Sequence, residues 1–130
     1  MNYLIDTNIC IYYMKGLYNL DQKLSSENCY ISEITLAELK YGLANSERKA
    51  ENRVVLDLFL SEVKILPIFN ALDVYAEEKA RLKSKGFPIE EFDLLIGASA
   101  VTNKMTLVTN NTKHFKRIAN IQIENWTQVK

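Results

Sequence analysis

Histidine, cysteine and glycine are all scarce in this chain. Its one histidine, His114, sits among Lys113, Lys116 and Arg117. A lone imidazole in a basic segment makes a poor triad member and a poor zinc site. It reads as a surface residue, with a phosphate contact as its functional alternative. Cys10 and Cys29 are the only cysteines and stand apart within apolar runs. They read as small buried thiols of a reducing compartment rather than as a disulfide or metal pair. The four glycines form no G-x-G-x-x-G fingerprint, no phosphate loop and no nucleophile elbow. No apolar run approaches the roughly 20 residues that span a bilayer. The N-terminus lacks the basic region and apolar core of a signal peptide, so the cytoplasm is the expected compartment and no membrane partner is expected. Formal net charge is zero. That argues against wrapping nucleic acid by bulk positive charge, yet a divalent cation in an acidic pocket would reverse the sign locally.

What remains is the composition of an ordered globular protein, 48% hydrophobic and 25% charged. At 130 residues it reads as one domain, 1–130. Strand and helix patterns alternate throughout. The apolar run Tyr3-Leu4-Ile5 ends abruptly in Asp6-Thr7-Asn8 and predicts a buried strand followed by a short helix to Met14. A second short helix is expected over Leu17–Leu24, a strand over Asn28–Ile31, and a helix from an N-cap at Ser32 to about Ala44. Ser46 reads as the cap of a helix over Glu47–Ser61, with Val54, Val55, Leu58 and Phe59 facing inward. Lys64–Ile68 predicts an edge strand or its end, because Pro67 cannot donate to a ladder. Asn70 and Asp73 are spaced like a capping box for a helix to about Lys85. Glu90–Asn103 is apolar or small nearly all round, the mark of a buried helix. Gly97 and Ala100 in it would admit another backbone. Met105–Thr109 repeats the grammar of the first strand, and a helical turn and a strand over Ile121–Ile123 follow. Alternation of this kind implies an α/β fold, a three-layer α/β/α sandwich on a central parallel sheet of four or five strands.

Three carboxylates stand out. Asp6 sits at a strand end, where open parallel sheets bind ligands; it could equally be the N-cap of the next helix. Glu38 shares a helical face with Ile34, Ala37 and Tyr41, an apolar setting costly for an unpaired charge; alternatively it lies at the stripe's edge and reaches water. Asp93 opens the buried helix, either as a first-turn acid or as a site residue. Carboxylates that meet repel one another unless a proton or cation joins them. Their hard oxygens suit Mg²⁺ or Mn²⁺.

Four stretches, in order and spacing, carry a resemblance over nearly the whole chain: Tyr3–Asn8, Ile34-Thr35-Leu36-Ala37-Glu38-Leu39-Lys40-Tyr41-Gly42, Phe92-Asp93-Leu94-Leu95-Ile96-Gly97-Ala98-Ser99-Ala100, and Leu107-Val108-Thr109-Asn110-Asn111-Thr112-Lys113-His114-Phe115. The chain resembles a PIN-domain protein of the VapC type, the toxin of a bacterial or archaeal toxin–antitoxin pair. The resemblance implies a Mg²⁺- or Mn²⁺-dependent endoribonuclease with Asp6, Glu38 and Asp93 as acidic ligands. It implies cleavage that leaves the phosphate on the 5′ side, with transfer RNA as one precedent for the substrate. Thr7 and Thr109 would bring hydroxyls to the pocket and Asn8 would support Asp6. Lys113, His114, Lys116 and Arg117 would meet RNA. The implied partners are a cognate antitoxin whose C-terminal segment enters the groove and a second copy of the chain. Two positions depart from the pattern. Asn111 stands where many relatives carry a further acid, so it would be a weak ligand, and His114 stands where some place another. One well-held ion is therefore expected, with a second arriving with the RNA. The rival expectation is a PIN-like domain that binds RNA or protein without cutting.

Overall fold

Alternation along the central strand decides the architecture. The computed structural model describes residues 1–128. In it β1 (Asn2–Ile5) sends Tyr3 and Ile5 to one face of the sheet and Leu4 to the other, as a two-residue period requires. Each face nucleates its own core. Tyr3 and Ile5 join Ile9, Cys10, Leu20, Leu24, Leu39, Leu56 and Phe59. Leu4 joins Leu82, Leu94, Ile96, Ala100, Leu107, Phe115 and Ile118.

The remaining strands are β2 (Asn28–Ser32), β3 (Lys64–Leu66), β4 (Thr106–Val108) and β5 (Gln122–Glu124). All pair in parallel, in the order β3-β2-β1-β4-β5. Helices α1 (Thr7–Met14), α2 (Leu20–Ser26), α3 (Glu33–Ala44) and α4 (Lys49–Leu60) pack mainly against the first core. Helices α5 (Leu72–Ser84), α6 (Glu91–Thr102) and α7 (Thr112–Phe115) cover the second. The expected three-layer sandwich and parallel sheet are present, with five strands among the described residues. β3 is an edge strand and stops before Pro67.

Helix α6 is walled in as its composition requires. Leu94, Ile96, Ala98 and Ala100 are at most 2% exposed, and burial of each large side chain contributes about 1.5–3 kcal/mol. Gly97 does not admit a neighbouring backbone, as its size suggested. It admits the side chain of Ile118, which with Phe115 and Ile121 fills the space a Cβ would take.

Several local expectations give way to tertiary contacts. Helix α2 begins at Leu20, not Leu17, because Tyr18 and Asn19 adopt positive φ and block an earlier start. Ser46 does not cap α4; its hydroxyl donates to Leu43 O and closes α3 instead. Asn70 and Asp73 form no capping box: a 3₁₀ turn over Phe69–Ala71 leads into α5, and Asn70 Nδ2 donates to Asn103 Oδ1. The inner face of α4 is Leu56 and Phe59, while Val54, Val55 and Leu58 are exposed. The face of α3 that carries Ala37, Glu38 and Tyr41 looks outward; Thr35 and Leu39 are the buried positions.

Candidate metal centre

β1 and β4 lie side by side in the sheet, in register from Tyr3↔Thr106 to Ile5↔Val108. β1 passes into a helix on one face and β4 into a helix on the other. Their shared carboxyl end is thus a switch point of the kind where open sheets leave a crevice. The two polar strand ends meet there. Asp6 Oδ2 accepts from Thr109 Oγ1 at 2.8 Å, and Asp6 Oδ1 accepts from Thr7 N at 2.8 Å. Asp6 is therefore both the N-cap of α1 and a buried carboxylate, only 4% exposed. Burial pushes its pKa up, and the two hydrogen bonds pull it back. Thr109 Oγ1 also accepts from Asn111 N at 3.0 Å, which fixes the turn into α7.

Glu38 reaches the same place from α3. Thr7 Oγ1 donates to Glu38 Oε1 at 2.7 Å, and the Thr7 and Thr35 hydroxyls are 3.0 Å apart. Burial raises the Glu38 pKa, the Thr7 bond lowers it, and the charges of Asp6 and Glu90 raise it again. Asp93 stands in the first turn of α6, whose N-cap is Glu90: Glu90 Oε2 accepts from Asp93 N at 3.2 Å. Burial, then Asp6, Glu90 and Glu38, push Asp93 up to about 6. Asp6, Glu38 and Asp93 line one open cleft of about 610 Å³ together with Thr7, Asn8, Ile11, Ala37, Tyr41 and Phe92.

No lysine or arginine is paired with Asp6, Glu38 or Asp93 among the described residues. The donor set therefore suits a hard divalent cation in kind. It is an open set: among the described residues no three His, Cys, Asp or Glu side chains are grouped tightly enough to hold one ion as they stand. One further polar atom points to an unmet ligand. His114 Nε2 is shielded from water without a hydrogen-bond partner, 3.5 Å from Asp93 Oδ2.

The other residues singled out in the sequence fall differently. Asn8 lines the cleft, exposed, but makes no hydrogen bond to Asp6 among the described residues. Asn111 is exposed and is not among the cleft-lining residues. Lys113 and Lys116 are exposed on α7 and beside it. Arg117 turns away, its guanidinium donating to Pro88 O at 3.2 Å over the Phe87 ring. His114 is half-buried, 23% of its side chain exposed and its Nε2 shielded; burial and then Arg117 push its pKa down, toward the neutral imidazole. Tyr41, on a face whose spacing implies burial, and Phe92, at the start of the buried helix, are instead 70% and 45% exposed on the cleft wall. Glu90 had no role in the sequence reading. Its signal was its place three residues before Asp93, a capping spacing.

Cys10 and Cys29 are free and buried. No helix among the described residues is long and apolar enough to cross a membrane.

Known proteins bear on this geometry. The PIN domain model matches residues 3–121. Ribonuclease VapC2 of Rickettsia felis is 44% identical over 97% of this chain and 98% of its own. The tRNA(fMet)-specific endonuclease VapC of Shigella flexneri is 32% identical over 98% and 99%. Among solved structures, VapBC2 from Rickettsia felis bound to a DNA fragment from their promoter superposes with a TM-score of 0.88 at 40% identity, covering 97% of this chain and 99% of the other. VapBC-1 from nontypeable Haemophilus influenzae gives 0.87 at 33% identity, covering 98% and 100%. A family model spanning most of the chain, and relatives matched end to end with the same fold, leave one assignment: the chain belongs to the PIN-domain family and, within it, to the VapC group.

Proposed function

We propose that this chain is a divalent-metal-dependent endoribonuclease, the toxin of a toxin–antitoxin pair. The observation that carries the reading is the cleft that gathers Asp6, Glu38 and Asp93, where burial and then the charge of Asp6 push Glu38 and Asp93 up and no lysine or arginine is paired with any of the three among the described residues. Such a cleft is poorly suited to a phosphodiester unless a cation is there too. Mg²⁺ or Mn²⁺, when bound, supplies that charge and the Lewis acidity that activates water for attack at phosphorus. Asp6 and Asp93 would hold it, and Glu38 would complete the set.

The chain's own residues do the rest. Thr109 and Thr7 hold Asp6 in its ionised form. Thr7 also orients Glu38. Tyr41 and Phe92 offer exposed rings on which unpaired bases stack. Lys113 and Lys116 supply phosphate contacts beside the cleft. A transfer RNA is the finer part of the reading, carried over from the tRNA(fMet)-specific relatives in Shigella flexneri and Salmonella typhimurium. The two reduced thiols suit work in the cytoplasm.

The antitoxin would seat on α1, α3 and α4, as the solved relatives are toxin–antitoxin complexes. There an apolar groove of about 350 Å³, lined by Ile11, Met14, Leu39, Leu43, Val55 and Leu56, runs on from Glu38. A segment lying in it would reach the acidic cleft from one side.

The test is cleavage of total cellular RNA by the purified chain with Mg²⁺, with Mn²⁺ and with EDTA, beside Asp93→Asn. Discrete cuts that need a divalent ion and vanish in the variant are expected. A folded wild type that cuts under no condition would instead favour a module that binds without cleaving.

A further inference from the structure

His114 is tied to the acidic cleft by packing. It lies on α7, where its ring meets Phe115 edge-on at 5.9 Å. Phe115 and Ile118 are fully buried against α6, and they approach that helix because Gly97 has no side chain. Gly97 is one turn below Asp93. The contact that anchors α7 therefore also sets the imidazole beside the Asp93 carboxylate. At 3.5 Å, His114 Nε2 and Asp93 Oδ2 form no hydrogen bond, and Nε2 has no other partner among the described residues. Buried polar atoms left in this way are uncommon and need a reason.

We propose that His114 is a metal ligand, pairing its Nε2 with Asp93 so that the cleft selects a transition-metal ion such as Mn²⁺ over Mg²⁺. The inference rests on the divalent site of the nuclease reading and names the donor that reading lacks. Two donors 3.5 Å apart lie within the span of one ion with bonds of about 2.1 Å. Neither Asn111 nor His114 is among the cleft-lining residues, but the imidazole stands 3.5 Å from Asp93 with its Nε2 unpartnered among the described residues, whereas Asn111 is exposed, so the segment after β4 offers the imidazole. Neighbouring cations do not take its place: Arg117 is engaged with Pro88, and Lys113 and Lys116 face solvent. An all-oxygen set suits Mg²⁺, whereas an imidazole nitrogen shifts preference toward the transition metals. The alternative, that His114 only steadies Asp93 through a hydrogen bond, puts no nitrogen on the metal.

Mn²⁺ bound to the full chain, read by pulsed electron paramagnetic resonance, separates the two. Wild type is expected to show ¹⁴N coupling from one imidazole, and His114→Ala and His114→Glu to lose it. By calorimetry, His114→Ala should weaken Mn²⁺ about tenfold or more and Mg²⁺ by less than about twofold. His114→Glu should bind Mg²⁺ more tightly than wild type does. Thermal unfolding shows whether each variant is folded; if His114→Ala is not, the wild-type spectrum and His114→Gln decide. Mn²⁺ bound to wild type without nitrogen coupling would overturn the proposal and leave the nuclease reading standing. A wild type that binds neither ion would overturn both.

Discussion

Asp93 is a carboxyl held against its ordinary ionisation, about 6 in place of 3.8. Its folded-state pKa lies above its unfolded value, so the folded protein binds that proton the more tightly. The resulting stability is present below about pH 4 and is lost as pH rises to about 6. Roughly two units correspond to about 2–3 kcal/mol. Asp6 and Glu38 shift in the same direction and add to the slope. Glu78 shifts the other way, lowered chiefly by its hydrogen bonds from Arg81. Its contribution is lost only as pH falls below about 4.5, whereas His114, whose pKa burial pushes down, takes back part of the gain as pH falls below about 6.5. In EDTA the chain should therefore resist urea better at pH 5 than at pH 7.5. Asp93→Asn should remove most of that difference and be the more stable protein at pH 7.5, by about 2 kcal/mol. An unaltered pH slope in the variant would mean that neither burial nor the neighbouring acids raise Asp93. Saturating Mn²⁺ should restore wild-type stability at pH 7.5 by binding only the folded state.

At the scale of elements, the contact of α7 with α6 sets the position of His114, and it turns on Gly97. Alanine at a helix interior ordinarily gains about 1 kcal/mol over glycine. Here the added methyl meets the Ile118 side chain, itself 2% exposed and unable to swing clear. Overpacking of this kind costs about 1–3 kcal/mol, so Gly97→Ala should be net destabilising, by about 1 kcal/mol. Thermal unfolding would register that as a Tm lower by roughly 4 °C. Gly42, with open space around it, is the control: Gly42→Ala should leave stability unchanged or improve it. A Tm rise for Gly97→Ala would show that α7 can shift, and would loosen the placement of the imidazole.

For the molecule as a whole, one face carries more apolar surface than solvent favours. Val54, Val55 and Leu58 on α4 are 60%, 40% and 65% exposed, and Leu17 shares a surface hollow with Val55 and Leu58. Val55 lines the groove proposed for the antitoxin as well. Val55→Asp should weaken antitoxin binding by tenfold or more, since a charge in an apolar contact costs several times RT. It should leave RNA cleavage by the free chain within about twofold, because α4 lies outside the acidic cleft. Antitoxin titrated into wild type and Val55→Asp, with cleavage as the readout, tests both halves. Full inhibition of the variant at wild-type concentrations would move the antitoxin to another face.

Much of this was legible from residue order. The alternation in Tyr3-Leu4-Ile5, the caps at Asp6 and Ser32, the apolar circumference of α6 and the proline after β3 are local signals, and each gave its element. Asp6, Glu38 and Asp93 stood out because acids at strand ends and among apolar residues need a reason. What failed was also local in kind: Ser46 and Asn70 each had the right spacing for a cap and found better partners in Leu43 O and Asn103. The sequence by itself therefore determined the order of strands and helices and the identity of the acids, since both follow from patterns a few residues long. Tertiary structure alone decided that β4 lies against β1, that Glu38 faces a cleft beside Phe92, and that His114 comes to Asp93. Those are contacts between residues 21 or more positions apart, fixed by how two cores fill the faces of one sheet and invisible to any local pattern.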